Sequence, residues 1–352
     1  MPSPRRLPSL FLGMGVLVAF SYLATQAQAQ AQAPRARLEA EVLIGPAPRL
    51  TTHGARAGSQ QLVAILQHRS VASLSDKQGF AIDTEDRWAT LLAYHRHYRL
   101  PVDGGAPPEW SGDLSKCSPG SLSPGFHELV RHRINYFRAQ AGLPSDISFS
   151  SAKNEAAQAA AMVMAVQGQL SHHPLQDFPW NPCVTAEIDA AASSSNLALG
   201  SHGTDSIDRF MLDDGAHNGA AGHRRWLLYS RAQVMGHGSV PPLGPQQAAT
   251  AAVWVLGDWA SPGPAKAVAW PNEGFCPYPL APGHDPAHQY PRWSFGYPSA
   301  DFSSASVSMT LNGEAIGVAL ETLQNQVGDN SLVWRLDAPA LRTPPRESRD
   351  HL

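Results

Sequence analysis

At 352 residues the chain is long enough for two domains plus processing segments, and each domain could bury its own core. A hydrophobic fraction of 43% is that of an ordinary globular protein, and a net charge of −3 with only 16% charged residues leaves no basic stripe for nucleic acid. The 30 prolines and 29 glycines each outnumber the 26 lysines and arginines, which points to a loop-rich protein and away from a helical bundle.

The N-terminus reads as an export signal. Arg5 and Arg6 form a positive n-region, and Leu10 to Phe20 is an apolar h-region. The run from Ala24 to Ala31 then offers several Ala-x-Ala cleavage registers. The apolar run is far short of the roughly 20 residues that span a bilayer, and no later segment is long and apolar enough to do so. Residues 1–33 are therefore expected to be a signal peptide of a secreted or periplasmic protein, with no transmembrane segment left after its removal.

Residues 34–122 form an N-terminal extension and linker. Gln60 to Gln67 fits a short amphipathic helix. Thr84 to Tyr98 fits another, with Trp88, Leu91, Leu92 and His95 at helical spacing. The Pro- and Gly-rich stretch from Pro101 to Pro124 is the linker.

The unit at 123–262 alternates helices and strands. Ser123 caps a helix with Pro124 at its first position, and Phe126, Val130, Ile134 and Phe137 make its apolar stripe. Gly142 and Pro144 end it, and Ile147 to Phe149 has room for a strand. Ser151 caps an Ala-rich second helix that Gly168 closes, and Thr204 caps a third, with Ile207, Phe210 and Met211 facing a core. Gln233 to Val240 and Ala251 to Gly257 read as strands.

The unit at 263–340 switches to period two. Ala305, Val307, Met309 and Leu311 alternate with polar residues, as do Ile316, Val318 and Leu320. Asn312-Gly313 lies between them, the dipeptide that a tight primed hairpin turn demands. With a strand over Ser331 to Leu336, the unit is expected to be a small all-β sandwich able to fold alone. Trp270, Trp293, Phe295 and Tyr297 in its Pro-rich approach are expected to pack under loops, the other reading being a stacking platform. Residues 341–352 read as a disordered tail.

Three cysteines, Cys117, Cys183 and Cys276, leave at least one thiol unpaired within the monomer. Cys117–Cys183 is the preferred pair, since both flank the same domain. Their spacing matches no thiolate zinc site.

The most telling residues are His172 in Leu170-Ser171-His172-His173-Pro174, then Ser195-Asn196-Leu197-Ala198, then His223 in Gly222-His223-Arg224. Together with Asn135-Tyr136-Phe137-Arg138, with Phe210 and Asp213 on the third helix, and with Val234-Met235-Gly236-His237-Gly238 and Val253-Trp254-Val255, they carry a resemblance. The unit resembles the CAP superfamily of cysteine-rich secretory proteins, insect venom antigen five and plant pathogenesis-related proteins, and its bacterial SCP-like members. The resemblance covers roughly Ser123 to Trp259. It implies an α+β architecture, a CAP-like α-β-α sandwich here followed by the β-sandwich, and an extracellular habit.

The resemblance also implies a cleft of two histidines and two acids. Matched by position, the histidines are His172 and His223, the second acid is Asp213, and the first acid falls on Ser195, which cannot ionise. Asn196 is expected to buttress a loop beside them. His172, His223 and Asp213 are the candidate ligands of a divalent metal such as Zn²⁺. The leading expectation is non-catalytic extracellular binding of a lipid, peptide or wall component through this cleft, with no nucleic-acid partner. The alternative is a metal-assisted hydrolase using the same three residues, against which Ser195 removes a general base. No Gly-x-Ser-x-Gly elbow, phosphate loop or His-Glu-x-x-His helix is present.

Overall fold

The computed structural model describes residues 16–17 and 79–336, apart from 104, 105, 245, 264 and 286. The expected helix at 60–67, the tail at 341–352 and the signal segment other than Val16–Leu17 lie outside the described residues.

The described chain begins with a segment laid on the central unit. Asp86 caps helix α1 (Arg87–Ala93), accepting from the amides of Trp88 and Ala89. The chain then loosens into a π-helical turn over Tyr94–Arg99 and ends in Leu100–Asp103. The stripe expected to face inward is turned outward: Trp88 is 68% and Leu92 54% exposed. The buried face instead carries Thr90 and Tyr94, with Tyr98 packed against the core. A tyrosine can enter this interface because its hydroxyl finds an acceptor: Tyr98 donates to Asp208 at 3.0 Å.

The central unit is a mixed sheet between two helical layers. Its strands are β1 (Ser148–Phe149), β2 (Ser195–Leu199), β3 (Val234–Val240) and β4 (Thr250–Trp254), in the order β1-β3-β4-β2. β1 runs parallel to β3, and the other pairs are antiparallel. Side chains alternate across the sheet, as strand geometry requires. Ala198, Ala251 and Val253 join a core with α2 (Pro124–Gln140), α6 (Gly203–Leu212) and α7 (Gly222–Leu227). Leu197 and Ala252 join the opposite core with α3 (Ser151–Gln167) and α5 (Ala186–Ser193). Between these last two lies the short helix α4 (Pro174–Asp177). This is the α-β-α sandwich that the resemblance implied.

Local chemistry explains the layering. Ser123 and Pro124 start α2 as expected, whereas α3 is capped one residue earlier, by Ser150, and α6 starts at Gly203 after an N-cap at His202. Gly236 and Gly238 of β3 leave no room for a Cβ: it would strike the main chain of Lys153 and of Gln158 respectively, so α3 lies directly on the strand. β1 is only two residues long, so β3 needs other partners beyond it. Asn154 accepts from the amide of His237, and Gln158 both accepts from the amide of Ser239 and donates to its carbonyl. Cys117 and Cys183 are disulfide-bonded, and Cys276 is free.

The C-terminal strands are β5 (Val268–Trp270), β6 (Arg292–Gly296), β7 (Ser308–Leu311), β8 (Glu314–Ile316), β9 (Val318–Leu320) and β10 (Ser331–Leu336). They form an antiparallel sheet in the order β9-β10-β6-β5, with the β7–β8 hairpin packed against it. Asn312 and Gly313 take the left-handed conformations of the expected turn, φ +54° and +89°. The two-residue strand Val16–Leu17 pairs with β7. Trp293, Phe302, Met309, Leu332 and Trp334 fill the space between hairpin and sheet, and the Trp334 indole N–H points at the Met309 sulfur, 3.0 Å away.

The C-terminal strands share buried contacts with the central unit. Val268, Trp270 and Val327 belong to the same buried cluster as α2 and α7, and Trp270 packs edge-on against Phe137 with centroids 5.4 Å apart. Of the aromatics expected to pack, Trp270 and Trp293 are buried and Phe295 lies partly buried against the C-terminal cluster, whereas Tyr297 is 39% exposed.

Candidate functional site

The residues around the two histidines come from four element ends. α3 stops at Gly168, in the left-handed conformation, and the chain turns through Ser171 to His172. Ser171 Oγ donates to Asp177 at 2.6 Å and accepts from the His173 amide at 2.8 Å, which fixes this corner. The His172 ring then reaches the open end of α5, where its Nδ1 lies 2.7 Å from the carbonyl of Ala192. A carbonyl only accepts, so Nδ1 carries the proton and Nε2 presents a lone pair. Ser195 Oγ donates to the neighbouring Ala191 carbonyl at 2.7 Å. Ser195 and His172 thus donate to adjacent carbonyls at the end of α5, alongside the Ser194 amide that caps the helix there.

His223 sits in the first turn of α7. Asp213 closes α6 in a left-handed conformation, φ +55°, which short polar side chains tolerate best after glycine. Its carboxylate accepts from His223 Nδ1 at 2.7 Å through Oδ1 and from the Arg224 amide at 3.2 Å through Oδ2. His223 is thereby also fixed with its proton on Nδ1. Phe210 stacks on its ring, centroids 5.1 Å apart and planes 14° from parallel. Asn196 Nδ2 donates to the His223 carbonyl at 2.9 Å, so Asn196 buttresses the backbone that carries the imidazole.

Both Nε2 atoms are buried and have no hydrogen-bond partner in the protein. Burial pushes the pKa of His172 down to about 4 against the opposing hydrogen bond to Ala192, and nearby His223 lowers it further. An open pocket reaches His223 and Asp213, walled by Leu197 and Phe210 and by Asp214 and Asn218. His172 is not among the residues that line this pocket. Asn218 Oδ1 and Ser201 Oγ, also on residues lining this pocket, are buried without partners too.

The expected three-ligand metal set is not assembled. Asp213 spends its two oxygens on His223 Nδ1 and on a backbone amide, so it stands behind the imidazole, on the side away from Nε2. Among the described residues no group of three or more His, Cys, Asp or Glu side chains is placed to hold a metal ion. Ser195 faces α5 and supplies no base. The reading from residues alone missed Asp214, Asn218 and Ser201. Asp214 stood in the Asp213-Asp214-Gly215 corner, a visible signal, whereas nothing local marked the other two.

Among the described residues no helix is long and apolar enough to cross a membrane. Residues 131–242 match the family model described as CAP, the cysteine-rich secretory protein family, and so constitute a CAP domain covering less than half of the chain. No curated protein matches the chain.

Proposed function

We propose, from the premise that residues 131–242 are a CAP domain, that this is an exported binding protein and that His172 and His223 are the working residues of its cleft. The observation that carries the reading is the pair of buried imidazoles, each locked with its proton on Nδ1 and each offering an unpartnered Nε2. A buried acceptor left without a donor costs on the order of 1–3 kcal/mol, so a ligand that donates a hydroxyl or amide hydrogen recovers that energy. The apolar wall at Leu197 and Phe210 adds affinity for a hydrocarbon portion of the same ligand. Lipid alcohols, peptides and wall fragments all have this character.

Export rests on Arg5, Arg6 and the Leu10 to Phe20 run, and the Cys117–Cys183 disulfide suits an oxidising compartment. Engagement of Asp213 behind His223 disfavours the metal-assisted hydrolase. The test is ligand-observed NMR with a fatty alcohol, a short peptide and a disaccharide-peptide wall fragment. At least one should bind the wild type and lose binding to His172→Ala/His223→Ala. Equal binding to both proteins would falsify the reading.

A further inference from the structure

The C-terminal sheet touches the candidate site at Asp213, whose backbone is left-handed. Arg292, on β6 and wholly buried, donates from Nη1 to the carbonyl of Asp213 at 2.9 Å. Its Nε donates to Glu321 at 2.9 Å, and Glu321 is held in turn by Arg335 at 2.8 Å. The Arg292 carbonyl accepts from Arg224 Nη1 at 2.9 Å. Just upstream, the amides of Gln289 and Tyr290 donate to the carboxylate of Asp214, at 3.3 and 2.6 Å. Two successive residues of the corner that ends α6 are thus gripped from outside the CAP domain.

That corner holds His223. Asp213 keeps a conformation that costs a non-glycine residue about 1–2 kcal/mol, so its surroundings must over-determine it. Two of its polar groups are fixed from within the CAP domain, by His223 and the Arg224 amide, and its carbonyl is fixed by Arg292. His172, in contrast, takes its orienting bond from Ala192, inside the CAP domain, with no contribution from the C-terminal strands.

We propose that the C-terminal module is a positioning part of the cleft: Arg292 and the 289–290 backbone hold the Asp213–Asp214 corner, and the corner fixes the ring orientation and tautomer of His223. Ligand affinity at His223 is therefore set from outside the CAP domain, a consequence that rests on the binding role proposed above. The positioning itself does not depend on that role.

The experiment is long-range ¹H–¹⁵N NMR of the imidazoles at one near-neutral pH, in the full chain, for the wild type, Arg292→Leu, Arg292→Lys and Asp214→Ala. Asp214 is only half-buried, so its variant keeps the test alive if Arg292→Leu does not fold. The wild type should show His223 protonated on Nδ1. Asp214→Ala and Arg292→Leu should each shift its tautomer ratio by about tenfold, the change expected when a charge-assisted hydrogen bond is weakened. Arg292→Lys, which keeps a donor, should restore most of it. His172 signals should stay put and serve as the internal control. Unchanged His223 signals in every folded variant would overturn the proposal, as would an equal shift of His172. If no probe ligand binds the wild type, the binding role fails while the tautomer comparison still decides this one.

Discussion

Asp213 concentrates the chemistry of the site in one residue. The residue is 1% exposed, and its carboxylate accepts from two donors, the His223 imidazole N–H and the Arg224 amide. Asp213→Ala would leave both donors buried and unpaired, at about 1–3 kcal/mol each. Asp213→Asn keeps one acceptor oxygen and the tolerance for left-handed backbone. Urea unfolding should therefore place the alanine variant about 2–6 kcal/mol below wild type, with the asparagine variant losing less than half as much. Comparable losses in both would mean that the carboxylate does not perform the pairing described. His172, His223 and Asp213 were singled out through the family resemblance, and the structure pairs Asp213 with His223. What Asp213 does was not legible, since a ligand and an orienting partner look alike until the ring nitrogen it faces is known. Arg292 was invisible for a different reason: its contact with Asp213 crosses 79 residues.

At the scale of elements, the N-terminal segment is pinned by pairs that tolerate protons poorly. His97 Nδ1 and His132 Nε2 lie 3.1 Å apart, with Phe80 stacked on His97 at 4.1 Å. One nitrogen must donate and the other accept, so at least one of the two rings must be neutral and the contact cannot survive protonation of both. Burial, then Arg96, pushes His97 down to about 4; burial, then His97, Arg131 and Arg133, pushes His132 down to about 3. The other anchor faces the same segment: Arg133 pairs with Asp208, which also holds Tyr98. Below the ordinary histidine value of 6.5 the unfolded chain takes up protons that the folded pair refuses. Stability should therefore be full above about pH 6.5 and fall as the pH drops towards 4, by about 1.4 kcal/mol per unit for the buried His132. Hydrogen exchange should show residues 79–103 opening before α3 across that window. His132→Gln should flatten the dependence, and a wild-type opening free energy that does not change with pH, once the intrinsic pH dependence of amide exchange is divided out, would contradict it. Helical periodicity found this helix but not its buried face, which is chosen by polar partners such as Thr90, whose hydroxyl donates to the Asp83 carbonyl at 3.2 Å. Trp88, Leu91 and Leu92 lie in the regular helix before the π-helical turn and face out, while Thr90 and Tyr94 are buried.

Across the whole molecule, burial joins what composition divided. The central sandwich was readable because its cues are local: caps, an Ala-rich helix, and glycines at β3 where α3 descends. The hairpin at Asn312-Gly313 was readable for the same reason. The union of the two parts was not, because it is made by contacts distant in sequence. Gln140 donates to Asn272 and to the Phe275 carbonyl, and Arg225 donates to the carbonyls of Gln324 and Asp329. Between these polar anchors Trp270, 2% exposed, lies against Phe137 and within the core of the CAP domain. Replacing a buried tryptophan by alanine removes its transfer energy and leaves a cavity, at about 3–5 kcal/mol. If the described chain is one cooperative unit, Trp270→Ala should lower a single calorimetric transition as a whole. If the parts are separate, the variant should melt in two steps, with the β7–β8 hairpin and its sheet keeping the wild-type temperature. A fragment beginning at residue 265 gives the complementary measurement. Without Phe137 and α7 it leaves Val268, Trp270 and Val327 in water, so it should show no cooperative melt, and a sharp one at the full chain's temperature would refute the shared core.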